Sequence, residues 1–183
     1  MKLKKKIIAF MALISLGTFF CGAKGSANIV QAKTNTTFFP KKMRGTWYQY
    51  YNKKISKMTI TKNKEVHHYI NGTKNIRYLE KKPTIIPENS QKTKNRFYIS
   101  RTRKVHGYTW YGINKITLPA DLTEEYYGVA KIKGNWVFDT ALAHGNVFES
   151  DNMHWYRTPE LAKRLKNAHY KNFDFSFSYN DLE

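Results

Sequence analysis

The chain has 183 residues and a formal net charge of +19, from 32 Lys and Arg against 13 Asp and Glu. With 41% hydrophobic and 15% aromatic residues it holds too much core material for a disordered chain. Its length suits one ordinary domain, and its composition excludes a coiled coil and, with a single cysteine, a disulfide-stapled mini-protein.

The N-terminus reads as an export signal, residues 1–32. Lys2, Lys4, Lys5 and Lys6 form a positive start, Ile7 to Phe20 an apolar run too short for a membrane span, and small and polar residues follow. Cleavage is expected after Ala32, because Val30-Gln31-Ala32 places modest side chains at the two positions that matter, with Ala27 as second choice. Cys21, the only cysteine, follows Phe19-Phe20 rather than the small residue a lipidation signal wants, so lipid anchoring is the lesser alternative. The remaining chain, without cysteine and without another apolar run of spanning length, suits a protein secreted by a Gram-positive-type bacterium.

Charge is unevenly distributed. Residues 33–118 carry a net +17, and residues 119–183 a net −3. Such asymmetry points to a surface that attracts polyanions, with Lys53, Lys54, Lys57, Lys62, Lys64, Arg101, Arg103 and Lys104 as the candidate contacts. Outside such a cell the nearest polyanions are wall polymers and anionic lipid headgroups, while export argues against nucleic acid. The plainer alternative makes the lysines a solubility device.

In chain order, residues 33–43 read as a linker. Arg44 to Tyr51 is an aromatic strand ending at Asn52-Lys53; Ile55 to Thr61 alternates, with Met58 and Ile60 on one face. Glu65 to Ile70 runs to the turn dipeptide Asn71-Gly72, and Asn75 to Glu80 is a shorter strand. Glu88 to Asn95 is a polar loop. Arg96 to Arg103 and His106 to Thr117 pair around Lys104, Glu124 to Lys133 and Trp136 to Ala143 around Gly134-Asn135, and Phe148 to Arg157 is a strand broken near Asp151-Asn152. Thr158-Pro159-Glu160 is a helix start, with hydroxyl cap, first-turn proline and acid, and the spacing of Leu161, Leu165 and Ala168 predicts a helix over about Pro159 to Ala168. Phe173, Phe175, Phe177 and Tyr179 alternate with polar residues as a last strand. The sum is an all-β domain over 44–183 with one C-terminal helix, best closed as an antiparallel barrel.

Familiar catalytic motifs are missing, and the absence of cysteine after Cys21 excludes thiol chemistry there. His67 and His68 are adjacent on a strand and point to opposite faces, while His106, His144, His154 and His169 are scattered without ligand spacing, so no metal and no cofactor are expected. Glu124-Glu125, Asp139, Glu149 and Asp151 could include an acid pair for glycoside hydrolysis, although acids flanking strands and turns are more often solvated. Tyr48, Tyr50, Tyr108, Trp110 and Tyr126 belong to strands with aromatics on both faces. One face must form the core; the other is exposed for sugar or polymer contact, paired at an interface, or covered by the helix.

Gly45-Thr46-Trp47 at the first strand and Tyr156-Arg157-Thr158 before the lone helix resemble the lipocalins and wider calycins, whose barrels open on G-x-W and carry a late Arg ahead of a C-terminal helix. The resemblance implies that Gly45, Trp47 and Arg157 form a barrel floor, with the guanidinium over the indole. The T-D-Y motif of typical lipocalins is not present; Phe138-Asp139-Thr140 stands roughly in its place. The run Met43-Arg44-Gly45-Thr46-Trp47-Tyr48, with Trp155 to Leu165 and Tyr170 to Phe177, is similar to a family of small secreted proteins of lactic acid bacteria, which brings no activity with it. The expected function is an exported, non-enzymatic binding module holding a small apolar ligand in a barrel. Retention on anionic wall polymers is the alternative, and an enzyme comes last.

Overall fold

A computed structural model of the chain describes residues 31–33, 36–85, 87, 92–117, 123–144, 147–166 and 168–178. Of the expected export signal, residues 1–30, with Cys21, lie outside the described residues. Within them the protein is mostly β-sheet with one short C-terminal helix. A short strand β1 (Gln31–Lys33) and a 3₁₀ turn (Lys41–Met43) precede β2 (Gly45–Tyr51), β3 (Lys54–Ile60), β4 (Lys64–His68) and β5 (Lys74–Leu79). Then come β6 (Arg96–Val105), β7 (Tyr108–Lys115), β8 (Thr123–Ile132), β9 (Asn135–His144), β10 (Val147–Ser150), β11 (Trp155–Tyr156), α1 (Pro159–Arg164) and β12 (Ser176–Ser178).

Strands β2 to β9 lie side by side in chain order, and β11 pairs with both β9 and β2, so the sheet closes in a ring. The tight turns between strands follow from residues that accept positive φ: Asn52-Lys53, Gly72, His106-Gly107 and Lys133-Gly134. Two of these lie beside their expected places: the β6–β7 turn falls at His106-Gly107 rather than Lys104, and the β8–β9 turn at Lys133-Gly134. The ring is not wholly antiparallel as expected. β5 and β6 run parallel, Tyr78 opposite Arg96 and Leu79 opposite Phe97, so β6 starts beside the C-terminal end of β5 and runs on in the same direction.

Alternation along the strands sorts the aromatic residues into two cores. The ring interior holds Trp47, Met58, Ile60, Leu79, Phe97, Ile99, Ile113, Tyr127, Val129, Phe138 and Trp155. The outer face of β7, β8 and β9 holds Trp110, Tyr126, Val137 and Ala141, and is roofed by Phe148, Tyr156, Ala162, Tyr170, Phe173 and Phe175. Gly128 makes this second core possible: a Cβ there would stand 2.7 Å from the Trp110 ring.

Three segments depart from expectation. Residues 36–43 are no passive linker, because Phe39 and Met43 are buried in the ring core, Phe39 N–H donates to Lys62 O at 2.8 Å, and Trp47 Nε1 donates to Met43 O at 2.7 Å. Helix α1 starts as expected, with Thr158 Oγ1 accepting from Leu161 N–H, but ends at Arg164, four residues early. Tyr156 OH donates to the carbonyl of Leu165 there, and the chain turns in to bury Tyr170. The period-two pattern after Phe173 also breaks: Phe173, Asp174 and Phe175 are all buried, because the N–H groups of Phe173 and Asp174 both turn back to Tyr170 O, and only Ser176–Ser178 pairs as a strand.

Candidate functional site

Gly45, Trp47 and Arg157 come together at one end of the ring. Arg157 lies with its guanidinium 3.5 Å from the centre of the Trp47 ring and donates to Arg44 O at 3.0 Å and Lys42 O at 2.8 Å, so it ties the chain ahead of β2 to the segment entering α1. Gly45, at φ +116°, is required here, since a Cβ would sit 2.6 Å from Arg157 Nη1. Lys42 adds a bond from Nζ to Val129 O.

Away from that floor the inward faces become wet. On β2 exposure rises from 0% at Trp47 to 51% at Tyr51, and on β9 from 0% at Phe138 to 37% at Leu142. Between the dry floor and the wet end sits a charged tier. Arg77 Nη2 donates to Glu125 Oε2 at 2.7 Å, Arg77 Nη1 donates to Tyr127 OH at 2.6 Å, and Tyr127 OH donates to Glu65 Oε2 at 2.7 Å. The guanidinium also covers Phe97 at 3.9 Å. Burial outweighs the attraction of Arg77 and pushes the Glu65 carboxyl above the ordinary range. Beside this tier, His67 stacks on Tyr69 at 3.9 Å and meets Trp155 edge-on at 4.9 Å. Burial and the nearby Arg77 charge hold its imidazole down to about 4, so it is neutral near pH 7, and its buried Nε2 has no hydrogen-bond partner.

On the outside of β6–β8 a β-bulge between Ile99 and Thr102 turns both Ser100 and Arg101 toward Glu124. Glu124 accepts from Ser100, Arg101 and Tyr126, and these bonds hold its carboxyl low although burial works against them. Gly112 leaves room for the arrangement, since a Cβ would stand 2.6 Å from Ser100 Oγ.

These facts redistribute the expected surface residues. Lys53, Lys54, Lys57, Lys62 and Lys104 are exposed, and Lys64 is half-buried. Arg101 is committed to Glu124, and Arg103 is buried, its guanidinium 5.1 Å from the Tyr126 ring and 5.4 Å from Phe148, so neither belongs to a free basic face. The aromatic faces are covered rather than presented. Trp110 and Tyr126 are fully buried, and Tyr48, Tyr50 and Tyr108 pack partly under the helix and the C-terminal segment. Sugar contact through Trp110 and Tyr126 is thereby excluded.

A second polar cluster lies in the outer layer. Asp139 on β9, His154 just before β11 and Asp174 in the C-terminal segment converge, their side chains 0%, 2% and 1% exposed. His154 Nε2 is 2.6 Å from Asp174 Oδ1 and 3.8 Å from Asp139 Oδ2. Burial, and then the facing Asp151, push the Asp139 carboxyl far above the ordinary carboxylate range. Among the described residues Asp139 Oδ2 and His154 Nδ1 have no hydrogen-bond partner.

The acids considered for hydrolysis therefore separate. Glu124 faces outward into its arginine cluster, Glu125 faces inward to Arg77, Glu149 is exposed on β10, and only Asp139 and Asp151 face each other. Sequence reasoning missed Glu65, Arg77 and Asp174 altogether. Strand alternation assigns each a face, but only the register of β3 to β9 and the fold-back at Tyr170 bring them to their partners. Among the described residues no helix is long and apolar enough to cross a membrane, which says nothing of strands. No protein-family model, curated protein or solved structure matches the chain.

Proposed function

We propose that the protein is an exported, non-enzymatic binding module whose ring acts as a calycin-type barrel, taking a small, largely apolar ligand at its wet end. The observation that carries this reading is His67: a neutral imidazole held between Tyr69 and Trp155, with a buried nitrogen that has no partner among the described residues. An unpaired buried polar atom costs about 1–3 kcal/mol, a cost that a ligand's hydroxyl or carboxyl removes. The adjoining Arg77–Glu125 pair requires that the ligand's inner end be polar, while Tyr69, Trp155 and Leu142 suit an apolar body. The floor pair of Trp47 and Arg157 with Gly45 supports the calycin reading, and the parallel β5–β6 pairing is a departure from an all-antiparallel barrel.

The test is a tryptophan-fluorescence titration with short fatty acids and small aromatic alcohols. Saturable quenching that disappears in Trp155→Phe and weakens at least tenfold in His67→Ala is expected. No saturable member in that panel, or quenching indifferent to both changes, overturns the reading.

The alternative, retention on anionic wall polymers, draws on the exposed Lys53, Lys54, Lys57, Lys62 and Lys104. It requires release as salt rises, since the screening length falls from about 30 Å at 0.01 M to about 3 Å at 1 M. Equal retention on walls with and without teichoic acid counts against it.

A further inference from the structure

Among the buried polar groups of the described residues, one oxygen stands out for its surroundings. Asp139 Oδ2 is fully buried and receives no hydrogen bond, and it faces an imidazole and the carboxylates of Asp174 and Asp151 rather than a donor. His154 Nε2 lies closer to Asp174 Oδ1, at 2.6 Å, than to Asp139 Oδ2, at 3.8 Å. Two acids and one imidazole thus close on a common point.

We propose that Asp139, His154 and Asp174 form a binding site for a divalent first-row cation, zinc or manganese. The three ligand atoms lie within 4.8 Å of one another. Ligands about 2.1 Å from a tetrahedral ion stand roughly 3.4 Å apart, and the Nε2 separations of 2.6 and 3.8 Å bracket that value. One imidazole nitrogen with two carboxylate oxygens suits zinc or manganese better than calcium, which wants six to eight oxygens.

The outer shell is arranged so that each acid keeps one oxygen for the ion. Asp174 Oδ2 accepts from Tyr170 N–H at 2.6 Å and pairs with His169 Nδ1 at 2.8 Å. Asp139 Oδ1 accepts from Thr140 N–H at 2.9 Å. Such partners orient the ligating oxygens. Asp151, exposed and bonded to Thr140 Oγ1 and Met153 N–H, marks the side from which an ion or its water reaches the site. An ion here would tie β9, the loop before β11 and the C-terminal segment together, making the roof of the outer core metal-dependent.

The test strips the purified chain with chelator, then adds zinc, manganese or calcium, and reads bound metal after dialysis together with the unfolding temperature. One equivalent of zinc or manganese is expected, with a rise of several degrees, both lost in Asp139→Asn and His154→Gln and both kept in His68→Gln, a change on an exposed residue of β4. Should the site variants fail to fold, cobalt loaded into the unaltered chain decides the matter, because a four-coordinate ion in this ligand set gives visible absorption. No retained metal, no absorption with cobalt, or retention unchanged in a folded Asp139→Asn overturns the proposal.

Discussion

The ring interior and the outer layer bury comparable numbers of aromatic side chains, but the acid tier of the interior and the Asp139, His154 and Asp174 cluster of the outer layer are compensated in opposite ways. Inside the ring, Glu65 and Glu125 share a fixed base, Arg77, which is also clamped against Phe97 and Tyr127, so the acids are compensated by the chain itself. In the outer layer Glu124 has the fixed base Arg101, but Asp139 and Asp174 meet His154, with His169 reaching Asp174 from an exposed position. Guanidinium is always charged, while imidazole is not. The interior tier is therefore self-sufficient, and the outer cluster depends on something variable: a proton, or the cation proposed above.

The largest effects should come from breaking each core at its largest member. Trp47→Ala and Trp110→Ala should each cost about 3–5 kcal/mol, the range for deleting a buried large aromatic side chain. If urea unfolding shows one transition for both, ring and outer layer are one cooperative unit; two transitions in Trp110→Ala alone would show that the outer layer detaches from a surviving ring. Comparable in size is Arg77→Ala, which strands Glu65 without its base and should also cost about 3–5 kcal/mol. Adding Glu65→Gln to it should recover part of that loss, and a double variant no better than the single one would refute the compensation argument.

Gly128→Ala presses a methyl group against the Trp110 ring and should cost about 1–3 kcal/mol, measured in the same denaturant series. Thr158→Ala, which removes the cap from a six-residue helix, should cost about 1 kcal/mol. A larger loss there would mean that α1 does more for the outer layer than its short length suggests.

The finest comparison uses acid. His67 is held neutral in the folded chain, with its pKa lowered to about 4 from an ordinary 6.5. Between those values the unfolded chain binds a proton that the folded one does not, so stability falls as pH drops from about 6.5 to about 4. Glu124, held low by Arg101, Ser100 and Tyr126, contributes stability above its unfolded pKa and loses it at more acid pH. A pH series of unfolding midpoints on His67→Phe should flatten the first limb and leave the second. An unchanged first limb would place the acid sensitivity elsewhere.

Much of the strand order was legible because it is written in local chemistry. Asn-Gly and Gly-containing turns, period-two runs such as Met58 and Ile60, and the Thr-Pro-Glu helix start each depend on a few neighbouring residues. The same locality explains the misses. Alternation after Phe173 predicts a strand, but it cannot register that Asp174 is drawn inward by Tyr170 N–H, His154 and His169, nor that Tyr156 closes the helix at Leu165.

What the sequence by itself determined was the class of the molecule: a basic, β-rich chain with a late helix, an export-like start, and a Gly-x-Trp and a distant Arg that the structure brings within stacking distance. What only the tertiary structure decided was which charges are free. Arg101 and Arg103 look no different in the sequence from Lys53 or Lys104, yet the bulge at Ile99–Thr102 turns Arg101 onto Glu124, and the packing around Tyr126 and Phe148 encloses Arg103. Likewise Asp139, His154 and Asp174 lie far apart along the chain and are brought together by the pairing of β12 with β10 and of β11 with β9. A residue's type sets what bonds it can make, and only the register of distant strands sets whether water, a partner or nothing is there to make them.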